Sequence, residues 1–295
     1  MQRIDMATVM SADLTAFEER YSRWLGYEVR ERGVISAQLA ASWGTPAHEG
    51  SSYLLMSSAA WPDIYIRAIE ADSVEGYEPM TTWGWNAIEI IVDDPLQLRK
   101  RFDDGPFRVI GEPRALNGYP TIVAFQVQGP DKEILYLTAE TGDRDTSTLP
   151  KPGAEIGRVF IMVLAGPDIE AHLEWYGKAF NMQYPPAIQT TVSVVQAAQD
   201  LAADEPIWLG IMRLAEHGNL IEFDGYSTQH SGPRPSPGGE LPPGIAMTSF
   251  AVPELDALDL EFVSPPAVYS GKAYDGRRSA TVIGPAGELV ELIEG

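Results

Sequence analysis

The feature that most constrains this chain is that it repeats itself, which restricts it to a fold built from like units. Asp13-Leu14-Thr15-Ala16-Phe17-Glu18-Glu19-Arg20-Tyr21 aligns with Asp168-Ile169-Glu170-Ala171-His172-Leu173-Glu174-Trp175-Tyr176. In both, an aliphatic residue follows the Asp and a Tyr closes the segment. Each continues through a basic residue, Arg23 or Lys178, to an apolar one, Leu25 or Phe180. A strand-like run precedes each Asp, Ile4 to Met10 and Val159 to Leu164. Asp is suited to cap a helix start. Leu14, Phe17, Tyr21 and Leu25 then recur at helical spacing, as do Ile169, Leu173, Tyr176 and Phe180. These spacings predict amphipathic helices laid on a sheet, with their aromatic residues in the core.

A second pairing is equally clear. Ile88 to Val92, followed by Asp94, Leu98 and Phe102, matches Thr248 to Val252, followed by Glu254, Leu258 and Phe262. Further on, Val127-Gln128-Gly129-Pro130-Asp131-Lys132-Glu133-Ile134-Leu135-Tyr136-Leu137 matches Val282-Ile283-Gly284-Pro285-Ala286-Gly287-Glu288-Leu289-Val290-Glu291-Leu292. Each is a strand, a Gly-Pro turn and a closing strand, the pattern of a hairpin. The chain therefore divides into similar halves, each with two strand–helix–strands units, at about 1–80, 83–140, 155–228 and 243–295. Residues 1–140 and 155–295 are read as two domains joined by a polar, Pro-containing linker over 141–154. A second polar stretch, Ser227 to Gly244, is too rich in Pro and Gly for regular structure. It is expected to bridge the two units of the second half and has the length of a lid.

The order of strand, Asp-Leu helix start, Tyr-x-x-x-Leu-Gly, three strands and a closing Gly-Pro-x-Gly-x-x-x-Glu-Leu resembles the glyoxalase, bleomycin-resistance and extradiol-dioxygenase group, the vicinal oxygen chelate superfamily. Tyr21-Ser22-Arg23-Trp24-Leu25-Gly26 and Gly284-Pro285-Ala286-Gly287-Glu288-Leu289-Val290-Glu291-Leu292 carry the resemblance best, and it extends over nearly the whole chain. It implies an α+β fold of four tandem βαβββ modules, forming two cupped mixed β-sheet domains with helices outside. It also implies a divalent metal held by the first strand of a module, through His or Gln, and by its last strand, through Glu. Such an ion needs several N or O donors converging from separate strands.

The first-strand ligand position lies about seven residues before the helix-start acid. Counting back gives Met6, Ala87 and Met247, and in the third module Arg158, Phe160 or Ile161. At the closing strands the equivalents are Ile66 or Arg67, then Tyr136, Glu222 and Glu291. Two carboxylates survive in the second half without histidines beside them. No cofactor is expected, and the histidine positions do not support a divalent metal. Among His48, His172, His217 and His230, no pair has the spacing of a metal site.

Glu222 and Glu291 are acids embedded in apolar closing strands, so one face of each strand must be polar or line a cavity. Converging in one cup, their mutual repulsion and burial would raise the pKa of at least one, which could then transfer a proton without a metal. They are the leading catalytic candidates, with His217 and His230 beside them as secondary ones. Arg158, Phe160 and Met247 are candidate binding residues of that cup. Met6, Tyr136 and Arg67 would line a corresponding pocket in the first half, either a ligand cavity or a collapsed core.

Composition narrows the partners. The formal net charge of −21 repels phosphate backbones and anionic headgroups, so neither nucleic acid nor membrane is expected. Zero cysteines exclude disulfides, zinc–thiolate sites and thiol nucleophiles. No apolar run approaches the roughly 18–20 residues of a membrane span, and the Met1-Gln2-Arg3-Ile4-Asp5 start lacks a secretory pattern. A cytoplasmic protein with a small-molecule ligand, compatible with a homodimer, is the expectation. There is no Walker loop, dinucleotide fingerprint or Gly-x-Ser-x-Gly elbow. Three functions remain open: lyase or isomerase chemistry by proton transfer on a small apolar or aromatic metabolite; drug or metabolite binding of the bleomycin-resistance kind; and a metal-dependent glyoxalase or dioxygenase with a rearranged ligand set.

Overall fold

The computed structural model describes residues 1–236 and 238–295. Four modules follow one another, and three of them share a βαβββ order. The first contains β1 (Ile4–Ser11), α1 (Leu14–Leu25), β2 (Tyr27–Val34), α2 (Ala37–Ser42), β3 (Ser52–Ser58) and β4 (Tyr65–Glu70). The second contains β5 (Gly84–Val92), α3 (Pro95–Leu98), β6 (Arg108–Leu116), β7 (Tyr119–Gln128) and β8 (Ile134–Glu140). The third contains β9 (Ile156–Gly166), α4 (Ile169–Ala179), β10 (Ile188–Thr190), α5 (Ser193–Ala198), β11 (Ile207–Arg213) and β12 (Leu220–Gly225). The fourth contains β13 (Ile245–Val252), β14 (Ala267–Val268), β15 (Arg278–Ile283) and β16 (Leu289–Glu294).

Helix starts follow the expected chemistry. The Asp13 carboxylate accepts hydrogen bonds from the Thr15 and Ala16 amides, Asp94 does the same for Leu96 and Gln97, and Asp168 caps Ala171. The fourth module departs from expectation: no helix covers Glu254 to Phe262. Glu254 stands where the other modules have Asp, and its longer side chain lies outside the favoured capping set. The chain there makes a single turn, with the Leu258 amide bonded to the Leu255 carbonyl, and buries Leu255 against the sheet.

The strands form two eight-stranded mixed sheets, in the orders β14-β15-β16-β13-β1-β4-β3-β2 and β10-β11-β12-β9-β5-β8-β7-β6. The first sheet, here called the terminal cup, joins modules one and four through the antiparallel pair β1–β13. The second, the central cup, joins modules two and three through β5–β9. The modules of one half therefore do not share a cup, contrary to the sequence reading. The two halves nevertheless hold their own modules together through buried contacts behind the sheets. Tyr21 of α1 donates to Glu133 in the second module at 3.4 Å, and Tyr176 of α4 donates to Glu288 in the fourth at 2.8 Å. Both acids sit in the Gly-Pro hairpins read from the sequence. Burial pushes each up, to about 7.

The backs of both sheets and the helices α1 and α4 share one large apolar core that includes Phe17, Tyr21, Trp85, Tyr176 and Phe250. Separate clusters fill the concave side of each sheet. The 227–244 stretch runs from the central sheet to the terminal one. Its described residues are tied to the segment just before β5, where the Gly232 amide donates to the Thr81 carbonyl and the Trp83 amide to the Gly232 carbonyl, and to His48, whose Nε2 accepts the Leu241 amide at 2.9 Å. Among the described residues no helix is long and apolar enough to cross a membrane.

Candidate functional site in the central cup

Strand register sets the two concave floors side by side for comparison. In the terminal cup Thr8 pairs with Arg67 and Ser249 with Glu291. In the central cup Glu89 pairs with Tyr136 and Glu222 with Val163. The pairings across the middle, Thr8 with Met247 and Glu89 with Ile161, make the two quartets equivalent. Thr8, Arg67, Ser249 and Glu291 in one cup thus correspond to Glu89, Tyr136, Val163 and Glu222 in the other.

The terminal floor is closed. The Arg67 guanidinium lies over the Trp43 ring, 4.6 Å from its centroid, and donates to Thr8 and to the Tyr274 hydroxyl at 2.8 Å. It reaches Glu291 at 3.4 Å. Glu291 also accepts from Trp43 Nε1 at 2.8 Å, Tyr274 at 2.8 Å and Ser249 at 2.5 Å, so both its oxygens are engaged. Met6, Met10, Met247, Leu39 and Leu289 pack round this network. Met6 and Arg67 therefore lie within a packed, hydrogen-bonded floor.

The central floor is open. A cavity of about 510 Å³, within the range of small-molecule sites, runs over Glu89, Glu222, Tyr136 and Gln126. Its walls are mixed, apolar at Ala124, Val194, Leu209 and Ile211 and polar at Thr190, Thr191 and Gln196, and its mouth lies between the β6–β7 hairpin, β10 and α5. Arg114 and Tyr119 stand at that mouth, the former bonded to Ser193 at 2.5 Å. Glu89 is buried and accepts from the Thr138 hydroxyl; Glu222 makes no side-chain hydrogen bond among the described residues and keeps part of its surface toward the cavity. Asp224, two residues further along β12, is buried with both oxygens unpartnered. The Tyr136 hydroxyl and Gln126 Oε1 are likewise buried and without partners.

Such a cluster cannot all be ionised at neutral pH. Burial raises Glu89 to about 8, helped by the neighbouring Glu222 charge, and burial raises Glu222 to about 7. Asp224 is also pushed well up by burial and by Glu222. The carboxylates titrate as a coupled set and share protons through the neutral range.

The structure distributes the sequence candidates unequally. Glu222 and Tyr136 meet at the cavity, and Phe160 packs in the core beneath it. Glu291, Arg67, Met6 and Met247 lie in the other cup, so the convergence expected of Glu222 and Glu291 does not occur, nor does the grouping of Tyr136 with Met6 and Arg67. The cause is the pairing of module one with four and two with three. Arg158 lies outside both cups: it stacks on Trp61, bonds Asn219 and the Val159 carbonyl, and burial lowers it to about 10. His217 is exposed in a turn, its Nε2 near the Ser147 carbonyl at 3.1 Å, and His230 is exposed with Nδ1 near the Gln199 carbonyl at 3.2 Å. Glu89 was missed, although it carries the signal used for Glu222, an acid inside an apolar strand.

No family model and no curated protein matches the chain. Solved structures do. Glyoxalase I from Zea mays superposes with a TM-score of 0.65 at 14% identity, covering 100% of this chain and 92% of that one. A putative dioxygenase from Bacillus subtilis subsp. subtilis str. 168 gives a TM-score of 0.58 at 9% identity, covering 99% and 85%. The fold is that of the vicinal oxygen chelate superfamily. Identities this low carry the architecture and no activity. The divalent ion this fold implies needs three or four N or O donors converging on one point. The central quartet offers two carboxylates, a phenol and a valine, and the terminal quartet holds an arginine bonded to its only carboxylate. Among the described residues no group of three or more His, Cys, Asp or Glu is placed to hold a metal ion. The donor set does not fit the ion.

Proposed function

We propose that the protein is an enzyme of the lyase or isomerase kind that moves a proton on a small apolar or aromatic molecule held in the central cup. The observation that carries this is the pair Glu89 and Glu222 on the floor of one cavity, both raised toward neutrality. A coupled pair sharing a proton at neutral pH supplies a base and an acid together. Glu222, free of hydrogen bonds and facing the cavity, is the proton-transferring group; Glu89, tethered by Thr138, is its partner. The apolar wall residues Ala124, Val194, Leu209 and Ile211 hold the reacting carbon.

The test is hydrogen–deuterium exchange at carbon. A panel of small aromatic and aliphatic carbonyl compounds is incubated with the protein in heavy water and followed by proton NMR. Catalysed exchange on at least one compound is expected, falling about 100-fold or more in Glu222→Gln and in Glu89→Gln. No exchange across the panel, or full exchange in the double variant with its fold intact, overturns the proposal. A ligand retained unchanged by native mass spectrometry, without exchange, would favour the second reading, a binding protein; the partly apolar walls suit that role equally.

A further inference from the structure

The register equivalence of the two cups says what each does with a positive charge. At the terminal floor the carboxylate Glu291 is neutralised from within by Arg67, whose guanidinium is also stacked on Trp43. At the central floor the position of Arg67 belongs to Tyr136, and acids accumulate where their counter-ion should be. Glu89 and Glu222 line the cavity, and Asp224 stands next on β12. Among the described residues the only cationic side chain lining that cavity is Arg114, at the mouth and bonded to Ser193. The buried polar atoms left without partners, Gln126 Oε1, both Asp224 oxygens and the Tyr136 hydroxyl, are all able to accept a hydrogen bond. Buried acids without a cation are costly, and a ligand that brings one offsets that cost.

We propose that the central cup binds an organic cation, an amidinium, guanidinium or protonated amine on a flat apolar body, placed between Glu89 and Glu222 as Arg67 is placed beside Glu291. The inference deepens the functional reading by naming a substrate class, and it rests on the same cavity. In that arrangement Glu89, held by Thr138, anchors the charge, and Glu222 remains the group that moves a proton. The body of the ligand lies against Val194, Leu209 and Ile211. The groups facing the acid pair are Tyr136 and Thr138 from β8, Gln126 from β7, Asp224 and Tyr226 from β12 and the residue after it, and Arg114 from β6. None but Arg114 is cationic. Because burial keeps the acids partly protonated near neutrality, an arriving cation displaces a proton.

Benzamidine and benzamide, nearly identical in shape and different in charge, are the probes, with binding to the full chain followed by titration calorimetry. Benzamidine is expected to bind at least tenfold more tightly than benzamide at pH 8, and the ratio should shrink at pH 6. Proton release should appear as a dependence of the heat on buffer ionisation. Glu89→Gln and Glu222→Gln should each cost benzamidine about tenfold and leave benzamide unchanged. Equal affinity for the two probes, no benzamidine binding at millimolar concentration, or a charge preference that survives both substitutions overturns the inference. The two proposals fail separately. Exchange on a neutral carbonyl compound that requires Glu222 would keep proton transfer while cation selectivity fell, and cation binding without any exchange would do the reverse.

Discussion

Replacing Glu89 by Gln should stabilise this protein at alkaline pH and leave it nearly unchanged at acid pH. Glu89 is 4% exposed, and burial with the neighbouring Glu222 charge lifts it from 4.5 to about 8. A group raised in the folded state contributes fully below its unfolded pKa, and that contribution is lost as pH rises through the folded one. The loss here accumulates between about pH 4.5 and about pH 8. At about 1.4 kcal/mol per unit, the full shift corresponds to roughly 5 kcal/mol. Coupling to Glu222 and local relaxation divide that figure, so about 2–3 kcal/mol is expected from the single substitution. Gln keeps an oxygen to accept the Thr138 bond and nearly the same volume, so little is lost in exchange. In a chain of this size that gain is roughly 5 °C in Tm. Thermal unfolding of both proteins at pH 5 and pH 9 gives the comparison. The variant should match the parent at pH 5 and exceed it at pH 9. Equal melting at both pH values would refute the claim that Glu89 is a buried acid held near an uncompensated like charge.

Arg67→Met should be destabilising by about 3–5 kcal/mol in urea unfolding, because it leaves Glu291 buried beside Trp43, Tyr274 and Ser249 with its charge unpaired. Adding Glu291→Gln should recover part of that loss; a single-variant cost below about 1 kcal/mol would remove the ion pair from the account of the closed cup. Tyr176→Phe should cost about 1.5–3 kcal/mol by the same measurement through its 2.8 Å bond to Glu288, and Tyr21→Phe less through its 3.4 Å contact with Glu133. Equal costs for the two would mean that these bonds are not what joins the modules of each half.

Local features were legible in the sequence because their causes are local. Asp13 and Asp168 announce α1 and α4 through side chains that reach amides two or three residues away. The Gly-Pro hairpins before β8 and β16 follow from turn chemistry alone. The choice of which modules share a sheet is not local. β1 could extend a sheet with β5 or with β13, since the alternation of apolar residues is satisfied by either partner. The observed pairing comes with contacts far apart in sequence, such as Tyr27 donating to the Gly157 carbonyl at 3.0 Å and Trp85 to the Leu289 carbonyl at 2.8 Å, which no local pattern announces. Counting seven residues back from the helix-start acid reaches Met6 and Ala87, two positions beyond Thr8 and Glu89, the residues at the equivalent register on the two floors. A two-residue error keeps the side chain on the same face of the strand, so nothing in the periodicity betrays it.

One acid stands at the same register position in both cups, and its surroundings decide what it can do. Glu291 and Glu222 are equivalent by strand pairing, yet the first has all its acceptors engaged and the second has none. The difference arises from the neighbouring closing strand, where Arg67 in one sheet answers to Tyr136 in the other, and from what covers the floor. In the terminal cup the segment after α2 delivers Trp43 onto the guanidinium. In the central cup α5 brings Ser193, Val194, Gln196 and Ala197 to the cavity, none of them an aromatic ring that caps the floor as Trp43 does. The terminal floor has its carboxylate neutralised from within by Arg67, whereas among the described residues Glu89 and Glu222 bond to no cation. The energetic cost of the central floor and the proton transfer proposed for it have the same origin: carboxylates raised toward neutral pH, facing a cavity of small-molecule size.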